Sequence, residues 1–219
     1  MQATYVHQLK LGPMENFVYL VGRQDSPEVL VVDPAWDVEA IERAVEQQGK
    51  QMVGAFVSHC HHDHTNGLPR LLARRDIPVY AQRAEVDFSQ ELRQLAGEAL
   101  RPLGPGDTIA VGGGSFLALH TPGHTPGSHC LLAGNALVSG DTLFINKCGR
   151  CDLHGGNPED MYRSLTQVLA LVPDQTKLWP GHDYADVPVA EMGEVRRTNP
   201  YFQCRDQESF VALRMRPRT

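Results

Sequence analysis

The chain has 219 residues, 42% of them hydrophobic and 21% charged, with a formal net charge of −6; that profile fits a single globular domain, 1–219. The acidic balance and scattered basic residues argue against nucleic acid as a partner, and the one basic cluster, Arg214, Arg216 and Arg218, reads as a solvated tail. No stretch approaches the ~20 consecutive apolar residues of a membrane span, and the opening MQATYVHQLKLG lacks the basic and apolar regions of a signal peptide, so a cytoplasmic protein without a membrane partner is expected.

Residues 4–10 and 16–21 are predicted strands, and a third comes after the Ser26-Pro27 breaker at about 28–33. Asp37 is placed to cap a helix running through about Gln48, with Val38, Ile41 and Val45 on one face. MVGAFVS at 52–58 reads as a buried strand, Gly67 to Arg74 as a short helix, Ile77 to Ala81 as a strand and 84–100 as largely helical. Two hairpins come next. One joins 108–111 to 116–121 across three glycines, and the other joins 128–132 to 136–139 through Gly134-Asn135.

Asn157-Pro158 opens the clearest helix, an N-cap followed by a proline suited to the first turn, with Met161, Leu165, Val168, Leu169 and Val172 as its apolar stripe. A strand near 176–179 and helical pieces near 188–197 and 207–214 end the chain. Strands mixed with helices and hairpins point to two packed sheets covered by helices.

Five cysteines, an odd number, do not indicate a disulfide framework. Cys148 and Cys151 form a C-x-x-C pair, but no second pair completes a zinc ribbon and no helix opens there. Two free thiols in a loop are expected.

Four apolar runs end in metal-ligand residue types. MVGAFVS leads into His59, His61, Asp63 and His64; FLALHT leads into His124; ALVSG leads into Asp141; KLWPG leads into His182. Imidazole and carboxylate suit Zn, Fe or Mn. In H-x-H the two side chains can point the same way along extended chain, so His59 and His61 can share an ion that His124 completes. Asp63 and His64 cannot both join that set without a turn and more naturally face a second ion with His182. Asp141, with two oxygens, can bridge. Two ions about 3.5–4 Å apart can activate a water between them and clamp attacking and leaving groups. His62 and His120 each have a better-placed neighbour and read as bystanders; His7, His129 and His154 carry no assignment.

The stretches SHCHHDH (58–64), HTPGHTPGS (120–128), SGDTLF (139–144) and PGHDY (180–184), with VVDP at 31–34, resemble the metallo-β-lactamase superfamily. The resemblance covers nearly the whole chain. It implies an α/β fold, a four-layer αββα sandwich, with the metals at one edge between the sheets. It also implies that Asp33 lies outside the ligand set and organises backbone near the site.

Within that superfamily, DTLFINKCGRCDLHGGNPEDMYRSL is similar to the glyoxalase II group, whose hydroxyacylglutathione hydrolases use residues at the positions of Arg150 and Tyr184 to hold the glutathione part of the substrate. Glyoxalase II enzymes carry a longer helical C-terminal region, whereas here 37 residues (183–219) come after His182. The segment VPVAEMGEVRRTNPYF is more similar to the persulfide dioxygenase branch. There a single Fe(II) would rest on His59, His124 and Asp141. The loop of that branch reads CGRTDFQ, and Cys151, Leu153 and His154 depart from it.

The first expectation is therefore a hydrolase of a small thiol-derived substrate, a thioester such as an S-acyl-glutathione, using two divalent ions (Zn or Fe, with Mn a further candidate) and a hydroxide they activate, with Asp63 orienting it. The alternative is an iron-dependent persulfide dioxygenase, and a lactonase or other ester hydrolase is a third reading. A homodimer is compatible with the sequence.

Overall fold

A computed structural model describes residues 3–217. Among the described residues, twelve strands form two six-stranded sheets. The first holds β1 (Thr4–Leu11), β2 (Asn16–Arg23), β3 (Glu28–Val32), β4 (Gln51–Phe56), β5 (Val79–Gln82) and β6 (Leu100–Leu103), in that spatial order. β1 to β3 are antiparallel, and β3 to β6 run parallel. The second holds β7 (Thr108–Val111), β8 (Gly114–His120), β9 (His129–Ala133), β10 (Ala136–Gly140), β11 (Lys177–Pro180) and β12 (Ala190–Glu191). β7 to β10 are antiparallel, β11 joins β10 in parallel, and β12 closes antiparallel on β11.

The side-chain alternation of a strand explains how four layers stack on these sheets. In β2, Phe17, Tyr19 and Val21 enter the core between the sheets with Phe56, Phe116, Leu131 and Val138. Val18 and Leu20, on the other face, pack under the helices α1 (Val38–Gln47) and α3 (Leu68–Leu72) through Ile41, Leu68 and Leu71. The outer face of the second sheet buries Cys130, Leu137 and Leu178 under α6 (Pro158–Arg163), α7 (Met192–Thr198) and α8 (Gln207–Arg214), through Met161, Met192, Val195 and Phe210. This is the expected αββα sandwich. No helix among the described residues is long and apolar enough to cross a membrane.

Local chemistry sets the helix ends. Asp37 caps α1 by accepting from the Ala40 N–H at 2.8 Å. Asn157 caps α6 by accepting from the Asp160 N–H, with Pro158 in the first turn.

Residues 84–100 are largely helical as expected, broken once: α4 (Arg83–Phe88) ends at Ser89, whose side chain caps α5 (Gln90–Ala96), and the edge strand β6 begins at Leu100. A strand containing Pro102 at a sheet edge carries little signal against a helical neighbour. The helix begun at Asn157 loosens after Arg163 into a π turn over 164–168 and a 3-10 turn over 169–171. That shift buries Ser164 and leaves Val168 half-buried, against the expected stripe. Arg214 is not a solvated tail. It is half-buried on α8 and donates to the Cys148 carbonyl and the Tyr201 hydroxyl. Arg216 is exposed as expected, and Arg218 lies outside the described residues.

Candidate metal centre

Strands β3, β4, β8, β10 and β11 deliver the residues after them to one edge of the sandwich. Gly181 stitches that edge: its N–H donates to the Gly140 carbonyl at 2.9 Å, and its carbonyl accepts from the Phe17 N–H at 2.8 Å. A side chain at Gly181 would collide with the Asp141 carboxylate, so glycine before His182 lets the two candidate ligands approach.

Three donor groups form there. His59, His61 and His124 bring ligand atoms within 4.8 Å of one another, as do Asp63, His64 and His182. The turn that separates Asp63 and His64 from His59 is the one-turn helix α2 (His62–Thr65). The third group, Asp33, His59 and His64, is already committed to hydrogen bonds. Asp33 accepts from the Ser58 N–H and hydroxyl, both at 2.6 Å, and pairs with His64 Nδ1 at 2.9 Å.

Asp141 stands between the first two groups. Its Oδ2 lies 3.6 Å from His124 Nε2, and its Oδ1 lies 3.4 Å from both His64 Nε2 and His182 Nε2.

The partners of the outer ring nitrogens orient these histidines. His124 Nδ1 lies 2.7 Å from the Arg150 carbonyl, and His182 Nδ1 lies 2.9 Å from the Met14 carbonyl. A carbonyl only accepts, so the proton sits on Nδ1 and the Nε2 lone pair faces the centre. Ser58 Oγ donates to Asp33 and therefore accepts from His59 Nδ1 at 3.0 Å. Asn16 fixes Asp63, donating to its Oδ2 at 2.9 Å and to its carbonyl at 3.0 Å, and accepts from Trp36 Nε1.

This donor set fits a metal. His59 Nε2, His124 Nε2 and Asp141 Oδ1 are buried without any hydrogen-bond partner, an arrangement that costs about 1–3 kcal/mol per group when nothing satisfies it. His64 Nε2 and His182 Nε2 face each other at 3.2 Å, where a shared cation relieves the opposed lone pairs. Imidazoles and carboxylates in this mixture suit Zn, Fe or Mn.

The charge balance of the metal-free centre points the same way. Burial pushes the Asp141 carboxyl up, but His64 and His182 outweigh it and hold it well below the usual carboxylate range. Burial works to lower His64, yet the Asp141 and Asp33 carboxylates raise it to about 9. His182 is raised by Asp141 against its burial. His59 is driven well down, first by burial and then by neighbouring imidazoles, and His61 is lowered to about 4 by burial and His124. A proton on His64 thus supplies part of the positive charge the carboxylates require.

A cavity of about 570 Å³ opens on Asp63, His124, Asp141 and His182 and is also lined by Lys147, Arg150, Tyr184, Tyr201 and Arg214. A larger surface groove of about 650 Å³ beside Glu42, Arg74 and Arg75 contains none of the ligand candidates, so volume alone does not locate the site. Arg150 lines the site cavity, but its guanidinium forks Asp152 at 2.8–2.9 Å, while its carbonyl steers His124. The Tyr184 ring stacks on His182 at 4.6 Å and carries Lys147 Nζ 4.5 Å above its centre.

The two bystander histidines stay outside all three groups. His62 is 72% exposed, and His120 faces the Pro126 carbonyl. His129 is buried, stacked on Phe56 and bonded to the Val57 carbonyl. All five cysteines are free thiols, and Cys148 and Cys151 are buried within their loop.

Sequence reasoning missed Asn16, Arg214 and above all Glu85. Glu85, fully buried on α4, accepts from the Cys60 N–H at 2.7 Å, the Thr125 hydroxyl at 2.8 Å and the Gly127 N–H at 2.7 Å. It ties the loop of His59 and His61 to the loop of His124. A glutamate on an amphipathic helix gives no sign of that role.

A family model described as the metallo-beta-lactamase superfamily matches residues 11–182, and the chain belongs to that superfamily. It is 32% identical over 220 residues to a probable polyketide biosynthesis zinc-dependent hydrolase of Bacillus velezensis, covering 99% of this chain and 96% of the relative. It is 37% identical over 200 residues to a hydroxyacylglutathione hydrolase of Alkalilimnicola ehrlichii, covering 90% and 73%. Its structure resembles that of ETHE1 from Myxococcus xanthus with a TM-score of 0.85 at 29% identity, covering 98% and 92%. Within the superfamily the chain lies in the glyoxalase II-like branch that includes ETHE1.

Proposed function

We propose that the protein is a metal-dependent hydrolase of thioesters, of which an S-acyl-glutathione is the model substrate. The observation that carries this reading is Asp141, whose two oxygens address different histidine sets, His124 on one side and His64 with His182 on the other. Such a carboxylate suits a site for two ions, with His59, His61 and His124 holding one and Asp63, His64 and His182 the other. Divalent ions bound there supply Lewis acidity and lower the pKa of a bound water towards ~7.

The chain's own residues supply the rest. Asp63, fixed by Asn16, accepts a hydrogen bond from the attacking water and orients it. Asp33 keeps His64 and the Ser58–His59 backbone in place. Lys147, Arg150 and Arg214 line the cavity where the thiol carrier would lie, and Tyr184 offers its hydroxyl beside them. A thiolate leaves readily, so the site needs no strong general acid at the leaving sulfur. The hydroxyacylglutathione hydrolase relative supports this reading.

The likeness to ETHE1 supports a second reading, an iron-dependent persulfide dioxygenase using His59, His124 and Asp141. Assaying S-lactoylglutathione hydrolysis and O2 uptake with glutathione persulfide on one preparation separates them. Thioester hydrolysis without O2 uptake is expected, and the reverse pattern refutes the hydrolase.

A further inference from the structure

A second cavity, of about 300 Å³, lies beside the centre, and His61 is the one residue that lines both it and the larger cavity. Its other walls include Cys60, His62, Phe88, Gln90, Glu91 and His154. Phe88 and His154 pack with ring centres 5.1 Å apart and planes tilted by 31°. Gly155, with φ of +81°, passes so close to the Phe88 ring that a side chain there would collide with it. The aromatic face is thus locked between α4 and the loop after Arg150, next to a candidate ligand.

The two cavities differ in charge. Beyond the donor carboxylates Asp63 and Asp141, the larger is lined by Lys147, by Arg150, which is paired with Asp152, and by Arg214, whose Nε is buried without a hydrogen-bond partner. The smaller is lined by no lysine or arginine and carries the Glu91 carboxylate. A thioester has two arms leaving one carbonyl, and that carbonyl must sit at the donor cluster where the cavities meet. An anionic thiol carrier matches the cationic cavity and is opposed by Glu91 in the other. We propose that the cavity between His61 and the Phe88–His154 pair is the acyl subsite, and that it takes an uncharged acyl chain of a few carbons. This rests on the thioesterase reading above.

The test uses acetyl-, hexanoyl- and succinyl-glutathione with the metal-loaded wild type and two variants, Phe88→Ala and Gln90→Lys. Gln90 is exposed, so its replacement leaves the fold intact even where Phe88→Ala loosens it. The wild type is expected to favour hexanoyl over succinyl. Phe88→Ala should lower the hexanoyl-to-acetyl ratio of kcat/KM by about 10-fold, the size of effect a lost hydrophobic contact produces. Gln90→Lys should raise the succinyl-to-acetyl ratio by about 5-fold. Inhibition by free glutathione should stay within about twofold in both variants, because the carrier arm lies elsewhere. Ratios equal to wild type in both variants, or glutathione inhibition that shifts in step with them, overturn the acyl assignment while leaving the thioesterase intact. A wild type that turns over no thioester overturns both.

Discussion

Glu85→Gln separates the bracing of the centre from the ligands themselves. The carboxylate accepts from three donors, the Cys60 N–H at Oε1 and the Thr125 hydroxyl and Gly127 N–H at Oε2. A glutamine of the same shape has one acceptor end. Turned one way, its NH2 group meets the Cys60 N–H; turned the other, it can donate to Thr125 Oγ1 but strands the Gly127 N–H. Either rotamer leaves a buried backbone donor unsatisfied, at about 1–3 kcal/mol. It also reduces the remaining charge-assisted bonds to ordinary ones, at roughly 1 kcal/mol more.

The metal-free variant should therefore lose about 3 kcal/mol of stability, equivalent to roughly 6–12 °C in Tm for a chain of this size. Because Glu85 links the His59–His61 loop to the His124 loop, affinity for the ion held by those three histidines should fall about 10–100-fold, the range for a group that positions ligands. Denaturant unfolding of the metal-free protein and competition with a chelator measure the two effects. A variant that loses stability but binds metal with wild-type affinity refutes the bracing role. One that changes neither refutes the hydrogen-bond account altogether.

Asp141→Ala removes the carboxylate that faces both histidine sets and should cut metal content and turnover by more than about 100-fold, beyond the effect of an outer partner; near-normal elemental analysis and activity contradict its role. Burial raises the Cys151 thiol to about 12 and pushes Cys148 higher still, so both stay protonated at pH 8. Both should resist a thiol reagent in the native protein and react once it is denatured, and prompt native labelling of either contradicts that. In the metal-free protein, His64 is raised from 6.5 to about 9, so its contribution to stability is complete below pH 6.5 and is lost as pH rises through about 9. Denaturation midpoints that climb over that interval refute the electrostatic assignment.

The clustering of the candidate donors was legible because the candidates come after apolar runs, and strands that end at one edge must bring their trailing loops to one place. His59, His61, Asp63, His64, His124, Asp141 and His182 all converge as that logic requires. The layered fold was legible through the alternation in β2 and the cap signals at Asp37 and Asn157. Other features were hidden for physical reasons. The break at Ser89 lies inside a pattern compatible with continuous helix, and β6 is an edge strand with a proline. Arg214 sits among basic residues of a polar tail, and only the packing of α8 through Phe210 turns its side chain toward Tyr201 and the site. Asn16 and Glu85 act through contacts 47 and 25–42 residues away in the chain, which no local pattern encodes.

The central claim is that two donor sets share Asp141, and His182→Ala tests it most directly. His182 belongs to the Asp63–His64 set alone. Elemental analysis of wild type and variant after metal-supplemented expression, with thioester hydrolysis measured on the same samples, reads the outcome. The account predicts about two ions per wild-type chain and about one in the variant, with hydrolysis falling together with the lost ion. One iron per chain in both proteins, with O2-dependent turnover and no thioester hydrolysis, contradicts it.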